Sequence, residues 1–274
     1  MQAERCDSRH APDYSVEQFI ISKQRFLMKQ RAPGKYDALT TFLHISSNLF
    51  PHAEVAYHTG RGIDDVVDGD APLPVGFHSI HEWLTYLEEQ TRSGGVHIQK
   101  APTIEFLLKR TIERFEHSRI TGIDIRHELL RFLASMKIEC TRREECRALP
   151  QKELWELYLE EFGAPHSIML AAFGSKTRDH DIPELSLFLG RSYNQKDLLG
   201  DLPRGIINIP QEILNEAELS TSDCVNQPHE VIQHPIVVKW RQQEVEDCFL
   251  LRQTLSQKRF DTMGKIYVRA LFKI

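Results

Sequence analysis

The chain has no run approaching the ~20 consecutive apolar residues of a membrane-spanning helix. Its opening, MQAERCDSRHAPDYS, is polar where a secretory leader would be apolar. These absences favour a cytoplasmic protein, and peripheral membrane contact stays compatible with a greasy substrate. Positive charge is also short: the formal net charge of −5 excludes a general nucleic-acid binder, which would need a basic face. Cysteine is sparse and irregular. The residues at 6, 140, 146, 224 and 248 form no CxxC pair, which speaks against a disulfide framework and for a reducing compartment. Cys140 and Cys146 would need helper ligands that the sequence does not display, and they read as free thiols beside a helix. Ser93-Gly94-Gly95 lacks the strand–turn–helix setting of a phosphate cradle, so the residues themselves give no nicotinamide site. There is no internal repeat, low-complexity tract or clear linker.

What the chain does have is helical periodicity. With 41% hydrophobic and 27% charged residues over 274 positions, it can bury a large core. Glu17–Lys29, Ala53–Asp68, His81–Gln90, Thr103–His117, Ile125–Glu139, Lys152–Phe173, Leu185–Gly200 and Ile236–Leu255 place apolar residues at three- and four-residue steps. Strand-like alternation is confined to Gly205–Ile209 (GIINI), and Asn215–Gln233 reads as polar and turn-rich. The pattern predicts one all-α domain over 1–274, with residues 1–14 as a flexible tail.

Two aspartate clusters stand out. In Tyr57-His58-Thr59-Gly60-Arg61-Gly62-Ile63-Asp64-Asp65-Val66-Val67-Asp68, Asp64 and Asp68 lie one helical turn apart on one face. Asn194-Gln195-Lys196-Asp197-Leu198-Leu199-Gly200-Asp201 repeats that spacing near a helix end, with Lys196 and Arg204 flanking it. A single DxxxD is most often a solvated face. Here Ile63, Val66 and Val67 point to a buried helix, where unpartnered acids are costly. Two such pairs beside Arg and Lys suit the holding of a diphosphate through hard divalent cations. Asp64, Asp68, Asp197 and Asp201 are the candidate Mg²⁺ ligands, with Asp65 auxiliary. Arg61, Lys196, Arg204 and Asn194 are the candidate diphosphate contacts. Tyr57 is the candidate aromatic beside the reacting carbon.

These residues resemble the squalene/phytoene synthases, the head-to-head branch of the trans-prenyl transferases. Tyr57, Arg61, Asp64-Asp65 and Asp68 fill the first signature of that family; Lys196, Asp197, Asp201, Arg204-Gly205, Ile207 and Pro210 fill the second. The resemblance spans about Tyr36 to Leu214. It implies an isoprenoid-synthase-type helical bundle around a central cavity, three Mg²⁺ ions and two isoprenyl diphosphates. One diphosphate ionises and the double bond of the other attacks its C1. NADPH is implied only for squalene-type members. Glu139 stands where the family often has Asp, Lys35-Tyr36-Asp37 replaces its diphosphate-binding entry stretch, and the run Phe162–Ser167 carries Pro165 and His166 in unusual places.

That last departure motivates a rival: a terpene cyclase, or prenyl transfer to a non-isoprenoid acceptor. A non-catalytic relative acting in assembly would be expected to lose the carboxylates, which are all present. Among other residues, His166 reads as a core or cavity-lining histidine, Tyr158 as a pocket wall or packed ring, and Met136 and Phe132 as tunnel wall or plain core. His180-Asp181 lacks a partner histidine for a metal phosphohydrolase. Arg142-Arg143 with Glu144-Glu145 reads as a solvated charged turn.

Overall fold

Amphipathic stretches of this length bury their apolar stripe only against one another, and the chain does so as an all-α protein. The computed structural model describes residues 11–31, 51–93, 103–118, 120 and 122–271, all helix and connection with no strand among them. Lys35-Tyr36-Asp37 lies outside the described residues. The long helices are α1 (Ala11–Arg31), α2 (Pro51–Val67), α3 (Ile80–Ser93), α4 (Ile104–His117), α5 (Ile125–Glu144), α6 (Gln151–Ala172) and α7 (Pro183–Asp201). After them come the short α8 (Gln211–Glu216), α9 (Thr221–Asn226) and α10 (Pro228–Gln233), then α11 (Pro235–Gln257) and α12 (Thr262–Leu271). Helix α1 begins inside the segment read as a tail. No helix of the described residues is long and apolar enough to cross a membrane.

Local chemistry sets several boundaries. Asp124 caps α5 by accepting from the backbone N–H groups of Arg126 and His127 at 3.1 Å. Proline opens α7, α10 and α11, where its missing N–H costs nothing. Helix α2 ends at Val67 because Gly69 takes a left-handed φ of 74°.

One core cluster joins most of the long helices around Ile63, Trp83, Leu108, Leu133, Met136, Leu170 and Leu185. Within it α5 packs on α6, α6 on α7, α2 on α4 and α6, and α3 on α5. Trp83 donates its indole N–H to Glu105 at 2.6 Å, which satisfies a buried ring. A separate cluster of Leu198, Leu202, Ile207, Ile209, Leu214, Val231 and Trp240 lies beneath the end of α7. It draws on the two segments whose periodicity is weakest. Gly205–Ile209 forms no strand; Ile206, Ile207 and Ile209 are buried as irregular chain. Asn215–Gln233 folds as turns of short helix, each started by a Ser cap or a proline, because Cys224 and Val231 have that cluster to pack into.

Candidate active site

The first aspartates ride on the last turn of α2 and just beyond it. Asp64 and Asp65 are helical, while Asp68 follows the end of α2 and keeps the helical bond from its N–H to the Asp64 carbonyl at 2.8 Å. The two carboxylates therefore stay one turn apart. Arg61 bridges Asp64 at 2.8 Å and Asp65 at 2.7 Å. Arg143 of α5 donates to the Val67 carbonyl at 2.5 Å, placing positive charge at the negative end of α2.

The second pair ends α7, and it does not sit as symmetrically as its sequence. Asp201 is half-buried and Asp197 is exposed. Beyond it the chain makes a single 3-10 turn, Leu202–Arg204, closed by Gly205 at φ 79°. A Cβ there would lie 2.9 Å from the Arg143 carbonyl oxygen and 3.0 Å from Cys146 Sγ, so Gly205 is needed for both its conformation and its close approach. The turn throws Arg204 back across to the first cluster. Its guanidinium donates to the Asp68 carbonyl oxygen and to the Asp70 carboxylate, the latter at 3.2 Å. Asp70 also lies 3.9 Å from Arg61. A line of alternating charge, Asp64–Arg61–Asp70–Arg204, thus ties together two motifs that are 130-odd residues apart in sequence.

The charge of Glu139 on α5 bears on both pairs. Burial, opposed by Arg61 and reinforced by Asp65, Glu139 and Asp70, holds the Asp64 carboxyl up at about 6. Burial, then Asp64 and Glu139, push Asp68 up to about 8. Burial and Asp197 push Asp201 up to about 6, with Arg204 pulling down and Glu139 adding repulsion. Glu161 of α6 is pushed well above the usual carboxylate range by burial and then by Glu139, Asp64 and Asp68. Both aspartate motifs are therefore within electrostatic reach of one glutamate. The Asp64 side chain is 28% exposed, so solvent reaches the cluster, which is an acidic recess rather than a sealed core.

Besides Arg61 and Arg204, positive charge in this acidic centre comes from a residue that reads in sequence as surface. Arg142 does not sit in a solvated turn: its side chain is 2% exposed. It binds Glu139 through both ends, at 2.5 and 2.9 Å, and donates to the Ile207 carbonyl at 3.0 Å and to Asn208 Oδ1 at 2.6 Å. Asn208 in turn donates to Asn194 Oδ1 at 2.7 Å, and Asn194 hydrogen-bonds the buried Tyr158, whose phenol burial holds well above its usual range. Asn194 is thereby a link between α7 and α6. Gly190 allows this packing, since a Cβ there would come within 2.6 Å of Tyr158 Cγ. The spacing Glu139-x-x-Arg142 was the available sequence signal; Glu161, Asp70 and Asn208 gave none.

Aromatic rings on α2, α6 and α7 pair with their neighbours. Phe162 stacks on Tyr193 at 6.2 Å and 5°, and the Lys196 ammonium lies over the Tyr193 ring, 5.5 Å from its centroid. Tyr57 meets His58 edge-on at 5.3 Å. His58 is buried with Nδ1 2.8 Å from Gln24 Oε1, and burial lowers it to about 3. Burial, then Tyr193 and Tyr57, raise the phenol of Tyr267. His166 Nδ1 lies 2.7 Å from Tyr267 Oη, and burial lowers this histidine to about 4. His180, by contrast, is 76% exposed.

The donor set of the recess is all carboxylate oxygen, which fits a hard cation such as Mg²⁺. Among the described residues no three of these carboxylates bring ligand atoms within 4.8 Å of one another. An ion held here would take its remaining ligands from water and phosphate. No family model, curated protein or solved structure matches the chain.

Proposed function

We propose that the chain is a magnesium-dependent prenyltransferase that condenses isoprenyl diphosphates in the manner of the squalene/phytoene synthases it resembles. One observation supports this reading: Arg204, just after the second motif, reaches across to Asp68 and Asp70 beside the first, and the charge of Glu139 raises both Asp68 and Asp201. An acidic recess whose carboxylates are pushed towards protonation is short of positive charge, and cation-bound diphosphate supplies it. Mg²⁺ held by Asp64, Asp68 and Asp201, with Asp65 and Asp197 beside them, would stabilise the charge that develops on a departing diphosphate.

The chain's own groups do the rest. Arg61 and Arg204 already span the motifs and can exchange a carboxylate partner for a phosphate oxygen. The exposed Lys196 over the Tyr193 ring adds charge for the incoming substrate. Tyr57, Tyr193 and Phe162 offer ring faces that steady a carbocation and keep water from it. Glu139 and Arg142 position the recess rather than touch the reacting atoms. The isoprenoid-synthase-type cavity and the coupling of two prenyl chains belong to this same proposal.

Incubation with Mg²⁺ and allylic diphosphates of increasing chain length, followed by mass spectrometry of the products, tests the assignment. Asp64→Ala and Asp201→Ala should each lower turnover more than about a hundredfold with the helical circular dichroism unchanged. Full activity in either variant would falsify it.

A second reading, a terpene cyclase on the same frame, is favoured by His166. Its Nε2 is buried and makes no hydrogen bond among the described residues. With the Nδ1 proton directed to Tyr267, that nitrogen presents a lone pair able to take a proton from a carbocation. Product from one diphosphate without a co-substrate, lost in His166→Phe, would support the cyclase.

A further inference from the structure

A second set of metal-binding side chains lies away from the recess, where α3 packs on α5. Cys140 and Glu144 are one turn apart on α5, and His81 belongs to the first turn of α3. The two helices run antiparallel: Lys137 pairs with Glu88 at 2.9 Å, and Thr141 Oγ1 meets His81 Nε2 at 3.2 Å. That register brings His81 onto the end of α5.

One donor atom from each of His81, Cys140 and Glu144 lies within 4.8 Å of the other two. Cys140 Sγ donates to Glu144 Oε1 at 3.5 Å, and His81 Nε2 is 3.8 Å from Glu144 Oε2. Tetrahedral coordination with bonds of about 2.0–2.3 Å spaces neighbouring ligand atoms about 3.3–3.8 Å apart. The two separations to Glu144 already match that spacing, and the third lies within 4.8 Å. Imidazole, thiolate and carboxylate together suit a borderline-soft ion and differ in kind from the all-oxygen recess. Cys140 is buried while Glu144 is exposed, which leaves the fourth position facing water.

The geometry points to a zinc-type site at His81, Cys140 and Glu144 that clamps α3 to α5. On binding, the ion takes the place of the proton that Cys140 directs at Glu144, and that proton leaves to solvent. Because the same segment of α5 carries Glu139 and Arg142, the clamp also steadies the helix that forms the wall of the acidic recess.

Titration of the full-length, metal-free chain with Co²⁺ alone tests the site. The expected result is one equivalent bound with a thiolate-to-cobalt charge-transfer band and visible bands of tetrahedral intensity. Both should vanish in Cys140→Ser and persist in Cys146→Ser and Asp64→Asn. Glu144→Gln alters an exposed side chain and should keep the fold while weakening Co²⁺ at least about tenfold. Cobalt bound without the thiolate band, a band that survives Cys140→Ser, or unchanged affinity in Glu144→Gln would each overturn the assignment.

Discussion

Asp68→Asn should stabilise the protein at alkaline pH and leave it nearly unchanged in mild acid. In the unfolded chain an aspartate ionises near 4; in the fold burial, Asp64 and Glu139 hold Asp68 up to about 8. Between those limits the native state binds a proton that the unfolded state has released. Stability therefore falls as pH rises through this window, with the full penalty present above about 8. A shift of about four units sets a ceiling of about 5 kcal/mol. The side chain is part-exposed, so solvent screening reduces the expected gain to about 1–3 kcal/mol. For a chain of this size that is a rise in Tm of roughly 3–10 °C. Buried neutral His58 and His166, lowered to about 3 and about 4, act with the opposite sign below about 6.5. Their contribution cancels when the variant is compared with wild type at each pH. The assay is thermal unfolding in metal-free buffer from about pH 5 to about pH 8.5. Added Mg²⁺ should recover stability at high pH in the wild type more than in the variant. A variant whose stability differs from wild type by the same amount at every pH would show that burial and the neighbouring acids do not hold Asp68 protonated, and the reasoning would be refuted.

Arg142→Met should cost about 3–5 kcal/mol, since it leaves Glu139 buried without its bidentate partner; urea unfolding measures this, and a cost below about 1 kcal/mol would contradict the burial of the pair. Gly190→Ala drives a methyl to 2.6 Å from Tyr158 Cγ and should lower stability by about 1–3 kcal/mol, read as a drop in Tm. Asp197→Ala should reduce Mg²⁺-dependent turnover less than Asp201→Ala, because Asp201 senses Glu139 while Asp197 is exposed; equal losses would mean that both carboxylates enter the recess. Arg204→Gln should weaken diphosphate binding in calorimetry and loosen the contact to Asp68 and Asp70; unchanged binding would remove Arg204 from the site.

The sequence by itself determined the helices and the local geometry of each aspartate pair. Apolar steps of three and four residues mark α2 to α7 and α11 within a few residues of their observed ends, and DxxxD on a helix must set two carboxylates one turn apart, because both follow from the 3.6-residue period alone. The basic flanks were legible for the same reason, whereas Gly205, read as the start of a strand-like stretch, closes a turn. Tertiary structure decided what those groups face. Arg142 and Arg143 carry the pattern of a charged surface turn, yet Arg142 is buried because Glu139, Ile207 and Asn208 supply its hydrogen-bond partners from two segments far apart in the chain. Glu161 and Asp70 have no local signal at all; their roles arise only where α6 and the turn after α2 meet the same recess. His81 meets Cys140 and Glu144 solely through the antiparallel register of α3 and α5. A helical repeat is a property of neighbours in sequence, whereas the meeting of charges across helices depends on the packing of apolar faces that carry no record of their partner.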